Sequence, residues 1–333
     1  MTRRALVELA FDHELLERGE HVVVGVSGGA DSMVLLELLA ALRASWELQL
    51  SAVHVNYGLR GQDSLLDEQL VHRRCRQLDI HLTLHRATEL QANDSNLEDR
   101  ARLIRHKVLR DTSREVGASA IALGHTLDDQ AETILLHLLR GSGLTGLQGM
   151  QAREGQIVRP LLGARRLQVR QYAAERGIMY RNDASNLDQR FMRNRVRHLL
   201  IPLLIEQFNP RIVENLANSA ELVATDEMFM DELAESIYRR FVKEVVDGSV
   251  QIAAEELLEL PLSLQRRVLR QMVRTVLPKK SPVGFRQAVQ AALSGLVKSN
   301  AGVEFPLGRG LTLKRSRGMV AISLATKNAQ KES

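Results

Sequence analysis

The chain has 333 residues, 44% hydrophobic and 26% charged, with a formal net charge of +5. That composition suits a folded protein with room for two domains and excludes an intrinsically disordered chain. One cysteine, Cys75, excludes an intramolecular disulfide and leaves no cluster for a zinc or iron–sulfur centre. No segment approaches the roughly 18 apolar residues of a membrane span, so no membrane partner is expected. Glu8 and Asp12 cut the apolar stretch that follows the N-terminal Arg3 and Arg4, which reads as an amphipathic helix rather than a signal peptide, and a cytoplasmic location is expected.

The first strong element is an apolar strand at 22–26, followed by Ser27-Gly28-Gly29-Ala30-Asp31-Ser32 and a helix beginning with Met33-Val34-Leu35-Leu36. A strand, a glycine turn and a helix start bring free N–H groups and the positive end of a helix dipole to one point, where an anion such as a nucleotide phosphate is expected. The loop lacks the lysine of a Walker A loop and the third glycine of a dinucleotide turn. Ser27 and Ser32 offer hydroxyls, while Asp31 would repel a bare anion and suggests a bridging divalent cation. The plainer alternative is a Gly-Gly turn in which Asp31 or Ser32 caps a helix.

Further strands are predicted at 49–55, 80–84 and 119–123, with a weaker one at 156–158, and helices at 67–77, 97–115, from 127 onward and at 167–176. This alternation predicts an α/β fold, a doubly wound parallel sheet whose ligands sit at the carboxyl ends of its strands. A helix is expected over about 189–200, its end marked by Pro202 and Pro210. Beyond a boundary near Phe208 the pattern is mainly helical, over 212–241, 253–260, 262–277 and 283–293, and closes with a hairpin within 307–322. The division expected is a nucleotide-binding domain at 1–207, a linking helix at 208–230, a mainly helical C-terminal domain at 231–325 and a polar tail at 326–333.

After the fourth strand, His125, Asp128, Asp129 and Glu132 gather where a helix begins, with the acids at i,i+3 and i,i+4 spacing. Such carboxylates repel unless a metal or a cationic group sits among them, although N-terminal acids also simply stabilise an exposed helix. Arg60, Arg102 and Arg105 are candidates for phosphate or carboxylate contacts, although any one taken alone reads first as a solvated surface arginine. His54 at a strand end is a packed core histidine or a nucleotide contact, and Asn56 a turn residue.

Nine arginines lie between 165 and 200 against Glu175, Asp183 and Asp188, and a second basic stretch over 262–280 carries no acid. Two places where a polyanion could touch are implied. In 190–198, Arg190, Arg193, Arg195 and Arg197 interleave with Phe191 and Met192, which suits an RNA backbone as well as a solvated basic face. The helix at 262–277 puts Arg266, Arg270 and Arg274 on one side as an expected RNA contact.

The motifs SGGADS, HVNYGLR, GHTLDDQAETILLHLLRGSGLTGLQGM and RPLL, with 183–186 leading into Arg193-Asn194-Arg195-Val196-Arg197, together resemble the tRNA(Ile)-lysidine synthetase family over about 22–204. The resemblance implies an ATP- and Mg²⁺-dependent ligase acting on tRNA(Ile) with a CAU anticodon. ATP would adenylate C2 of the wobble cytidine, position 34, with loss of pyrophosphate, and the ε-amine of L-lysine would displace AMP to give lysidine. It assigns catalysis to Asp31, His125, Asp129, Glu132 and Arg105. ATP binding falls to Ser27, Gly28, Gly29, Ala30, Asp31, Ser32 and His54, the metal to Asp31, and substrate binding to Arg60, Arg102, Asp128, Arg193, Arg195 and Arg197. Tyr57 and His106 depart from residues frequent in the family, and the chain stops soon after 322, which implies fewer tRNA contacts than in longer members. A homodimer is left open. The rivals are a tRNA thiolase on the same loop chemistry, which the lone Cys75 disfavours, and a non-catalytic RNA-binding protein, which the intact acids disfavour.

Overall fold

Short runs of valine, isoleucine, alanine and leucine in the first half of the chain pair into one sheet, in the computed structural model that describes residues 15–90, 97–182, 188, 190–245, 248–277, 285–298 and 302–324. The N-terminal amphipathic stretch, the segment 183–186, Lys279, Lys280 and the polar tail lie outside the described residues. The chain divides into two compact units, Met1–Ala224 and Thr225–Ser333. The division falls within one long helix, later in the chain than the boundary expected near Phe208.

In the first unit β1 (His21–Gly25), β2 (Gln49–Asn56), β3 (His81–Arg86), β4 (Ala120–Ala122) and β6 (Ile157–Val158) run parallel, and the short β5 (Arg153–Glu154) joins the edge antiparallel. The order is β3-β2-β1-β4-β6-β5. Val24 aligns with Ala52 on one side and with Ala122 on the other. The strand order reverses direction between β1 and β4, and such a switch point leaves a crevice at the carboxyl ends of the two strands.

The helices are α1 (Ala30–Trp46), α2 (Gln62–Gln77), α3 (Leu97–Glu115), α4 (Leu127–Leu139), α5 (Leu144–Leu147), α6 (Arg166–Glu175), α7 (Met192–Arg195), α8 (Ile201–Gln207) and α9 (Ile212–Phe241). Met33, Val34, Leu35, Leu36, Leu38 and Leu39 bury most of the circumference of α1, which is covered by the sheet and by α6. α2 begins at Gln62, earlier than its apolar pattern shows, because its first turn is polar. The helix expected over 189–200 instead passes from α7 through a π-turn at Val196–Leu200 into α8. Pro202 does not stop it, because it falls in the first turn of α8, where the missing N–H is tolerated.

The second unit holds β7 (Lys243–Glu244), β8 (Val250–Ala253), α10 (Ala254–Glu259), α11 (Leu262–Val276), α12 (Phe285–Lys298), β9 (Val303–Gly308), β10 (Leu311–Ser316) and β11 (Met319–Leu324). The expected helices and hairpin are present, and the hairpin belongs to a five-stranded antiparallel sheet ordered β7-β8-β11-β10-β9. Val250, Ile252, Leu311, Leu313, Val320 and Ile322 alternate inward and bury against Val268, Leu269 and Met272 of α11. β8 is too short, and β9 too interrupted by Pro306, to read as strands in sequence; Pro306 is tolerated because β9 is an edge.

Candidate active site

The loop after β1 is shaped by its glycines and knotted by its serines. Gly28 has φ +89°, a left-handed conformation, and a Cβ there would lie 3.3 Å from the Cβ of Asp67. The Ser32 hydroxyl donates to the Gly29 carbonyl at 3.0 Å, accepts from the Ser27 N–H at 3.0 Å and lies 3.1 Å from the Ser27 hydroxyl. Gly29, the N-cap of α1, supplies no side-chain cap. The amides of Ala30, Asp31 and Ser32 therefore head an uncapped helix, the arrangement that receives an anion.

A second shell of charge steadies this loop. Asp67 accepts from Arg60 at 2.7 Å and from Arg181 at 2.8 Å, Arg181 also reaches Asp63 at 2.6 Å, and the Arg181 N–H donates to the Gly28 carbonyl at 3.0 Å. Arg60, expected at substrate, is thus held beside the loop by Asp67. His54 is buried, and its Nδ1–H donates to the Val26 carbonyl at 2.8 Å; burial, chiefly, lowers its pKa. It supports the loop from beneath. Asn56 donates to Glu68 at 2.7 Å and accepts from the Gly58 N–H at 2.9 Å, fixing the turn after β2.

The loop after β4 comes within touching distance of α1. A Cβ on Gly124 would lie 3.0 Å from the Asp31 carbonyl carbon and oxygen, so a larger residue would have to push the start of α1 by a few tenths of an ångström. Beyond it, Thr126 and Asp129 form a reciprocal capping box: Asp129 Oδ2 accepts from the Thr126 N–H at 2.9 Å and its hydroxyl at 2.8 Å. The other oxygen of Asp129 meets three guanidiniums, Arg166 at 2.9 Å and Arg193 and Arg197 at 3.2 Å each. Glu132, 0% exposed in its side chain, meets the same three, Arg193 at 2.8 Å, Arg197 at 2.6 Å and Arg166 at 3.1 Å. Arg166 Nε also lies 3.7 Å from Asp31. Three carboxylates thus face three guanidiniums.

Asp128 points elsewhere. It accepts from the Arg166 N–H at 2.7 Å and from Arg165 at 3.2 Å, so it caps α6 instead of joining Asp129 and Glu132. Arg193 and Arg197, expected on RNA phosphates, are turned toward the acids, while Arg195 lies exposed on the opposite face. The i,i+4 spacing of Arg193 and Arg197 was the available signal for that shared face. Arg166 and Arg181 were missed because nothing in a run of arginines marks which of them meet an acid far along the chain.

The electrostatics separate the acids. Burial, and then the Asp129 charge, push the Asp31 carboxyl up to about 6 against the pull of Arg166, and its Oδ1 is buried without a partner. Burial also pushes Asp129 up, but Arg166 and Arg193 overcome it and hold the carboxyl well below the usual range. Burial above all takes His125 down to about 3, with its Nδ1 unpartnered. His125 is therefore neutral at pH 7 and Asp129 is a fixed charge rather than a base. No group of three or more metal-ligating side chains occurs among the described residues.

In the second unit, α11 buries Leu264, Val268 and Met272 as expected, but its basic face is only partly free. Arg267 pairs with Glu227 and with Asp231 at 3.1 Å, and Arg266 donates to Gln290. Arg274 is exposed.

Comparison with known proteins fits this geometry. The family described as PP-loop domain matches residues 3–204. A tRNA(Ile)-lysidine synthase of Symbiobacterium thermophilum is 36% identical over 93% of this chain and 67% of its own length. One of Chlorobaculum tepidum is 30% identical over 93% of both chains. Against several other relatives of that name the chain spans just over half their length. The solved structure of the U34-tRNA thiolase NcsA from Methanococcus maripaludis with its [4Fe-4S] cluster shares the fold, with a TM-score of 0.57 and 22% identity, covering 67% of this chain and 78% of that one. An uncapped glycine loop at a sheet switch point, an acid pair facing it and this run of relatives place the chain in the tRNA(Ile)-lysidine synthase family of PP-loop proteins.

Proposed function

We propose that the chain joins L-lysine to C2 of the wobble cytidine, position 34, of a tRNA(Ile) bearing a CAU anticodon. The C2 oxygen attacks the α-phosphorus of ATP and pyrophosphate leaves; the lysine ε-amine then adds at C2, loses a proton and expels AMP. The observation that carries this reading is the uncapped first turn of α1, with Asp31 on it, set across the switch point from the buried pair Asp129 and Glu132. One end holds phosphates and the other holds positive charge, which is what an ATP-driven attack by an amine requires.

The loop amides and the hydroxyls of Ser27 and Ser32 receive the phosphates that depart. Asp31 fits a magnesium ion: its Oδ1 is buried and unpartnered. Bound there, the ion would neutralise charge building on the leaving pyrophosphate. Asp129 and Glu132, both paired with Arg166, Arg193 and Arg197, attract the ammonium groups of lysine, which compete with those guanidiniums. The exposed Arg195 and Arg274 meet tRNA phosphates.

Sulfur transfer fits less well. Cys75 is buried, and burial pushes its thiol up to about 11. Among the described residues no helix is long and apolar enough to cross a membrane, and a reduced single thiol suits the cytoplasm. The test is incubation with transcribed tRNA(Ile), ATP, Mg²⁺ and each labelled amino acid in turn. Lysine alone should be incorporated, with AMP and pyrophosphate released; incorporation of another amino acid, or of none, overturns the reading.

A further inference from the structure

The loop after β1 contains one peptide that its own side chains do not orient, the link between Gly28 and Gly29. Neither residue carries a Cβ, and Gly28 sits at φ +89°, so the plane between them can turn over at little steric cost. A trans peptide puts its C=O and its N–H on opposite sides. Turned one way, the Gly29 N–H joins the amides at the head of α1. Turned the other way, the Gly28 carbonyl oxygen takes its place, and a phosphate is repelled instead of held.

The orientation is set from outside the loop. The Arg181 N–H donates to the Gly28 carbonyl at 3.0 Å and draws that oxygen away from the head of α1. The Gly29 N–H then faces the Ser27 hydroxyl, 3.4 Å away, which in turn lies 3.1 Å from the Ser32 hydroxyl. Arg181 follows α6 in a stretch that belongs to no helix or strand. Its polar anchors are on α2: Nε donates to Asp67 at 2.8 Å and Nη2 to Asp63 at 2.6 Å. Asp63 and Asp67 stand one helical turn apart, a span that the planar fork of a guanidinium covers and a single ammonium does not. Asp67 is 5% exposed, backs directly onto Gly28, and gives its other oxygen to Arg60 at 2.7 Å. Two acids and two arginines thus balance one another, and the charge of Arg181 is committed to α2.

We propose that Arg181 is a positioning residue for ATP. Anchored by Asp63 and Asp67, its main chain holds the Gly28–Gly29 peptide with the N–H toward the phosphates, and it acts through Gly28 rather than on the ligand. The proposal deepens the reading above and rests on it.

The experiment is isothermal titration of the full chain with MgATP and with pyrophosphate, together with lysine incorporation into transcribed tRNA(Ile), for wild type, Arg181→Met, Arg181→Lys and Asp67→Asn. Arg181→Met should weaken MgATP and pyrophosphate by about tenfold, the value of one charge-assisted hydrogen bond, and raise KM for ATP in parallel. Its KM for lysine and its melting temperature should stay near those of wild type, because a bridge whose arginine side chain is 35% exposed adds little to the fold. Arg181→Lys, which reaches one acid, should recover part of the affinity. Asp67→Asn should also weaken MgATP; unchanged or tighter binding there would mean that Arg181, once released, meets phosphate itself, and would overturn the positioning role. Unchanged MgATP affinity in Arg181→Met, or a fall in melting temperature with both KM values rising together, would overturn it as well. A wild type that binds neither MgATP nor pyrophosphate defeats the reading of the loop as a phosphate site, and the role of Arg181 with it.

Discussion

Arg197 grips Glu132 with a fork, Nε to Oε1 at 2.6 Å and Nη2 to Oε2 at 2.9 Å. The carboxylate is fully buried, so its charge is tolerable only because Arg166 and Arg193 share it. Removing one partner from such a group leaves uncompensated buried charge. Glu132→Gln should therefore lower unfolding stability by about 3 kcal/mol in urea titration and abolish lysine incorporation. Unchanged stability would mean that the ion cluster contributes nothing to the fold.

The neighbouring arginines should behave differently from one another. Arg195 is exposed and its Nη2 lies 3.4 Å from the Met192 sulfur, whereas Arg193 is bound into the acid pair. Arg195→Ala should weaken tRNA binding, reduce the salt slope of log K by about 1 and leave the melting temperature unchanged. Arg193→Ala should lower the melting temperature. Filter binding across a salt series, with thermal melts alongside, distinguishes the two; equal melting losses would place both arginines in the fold.

Gly28→Ala forces a side chain into a left-handed conformation and against Asp67. A loss of about 1–2 kcal/mol in stability is expected, with a larger loss of ATP binding because the loop amides would be misaligned. Isothermal titration with MgATP is the measurement, and normal affinity in the variant would refute the role given to the loop.

His125 ties stability to pH. Its folded pKa, about 3, lies below the ordinary histidine value of 6.5, so the unfolded chain binds a proton that the folded chain refuses as pH falls from 6.5 toward 3. This term destabilises the protein by about 2 kcal/mol between pH 6.5 and 5. Burial gives Asp31 the opposite sign between the ordinary aspartate value of 3.8 and about 6, so the comparison must be made against a variant. Stability of His125→Asn, followed by urea unfolding at each pH, should fall less steeply than that of wild type over this range; parallel curves would show that His125 is not held neutral by the fold.

The parallel sheet and the loop after β1 were legible because buried parallel strands leave continuous apolar runs, and because two glycines flanked by serines between a strand and a helix have few structural uses; the strand order was not. The acids after β4 were legible as a cluster but not as to partner. Spacing placed Asp128, Asp129 and Glu132 together, whereas a rotation of one position along α4 sends Asp128 to the start of α6 and Asp129 inward. Arg166, Arg181 and Asp67 lacked any local signature, since their partners lie far along the chain. The strands of the second unit were obscured by brevity in β8 and by Pro306 in β9.

The contact between Gly124 and the Asp31 backbone gives the site a mechanical property. The turn that leads into the acid-bearing helix lies so close to the first turn of α1 that an added methyl group would sit 3.0 Å from the Asp31 carbonyl. A displacement at either end must be transmitted to the other. Under the proposed reaction, activation of the base and attack on it would be coupled across this one close contact.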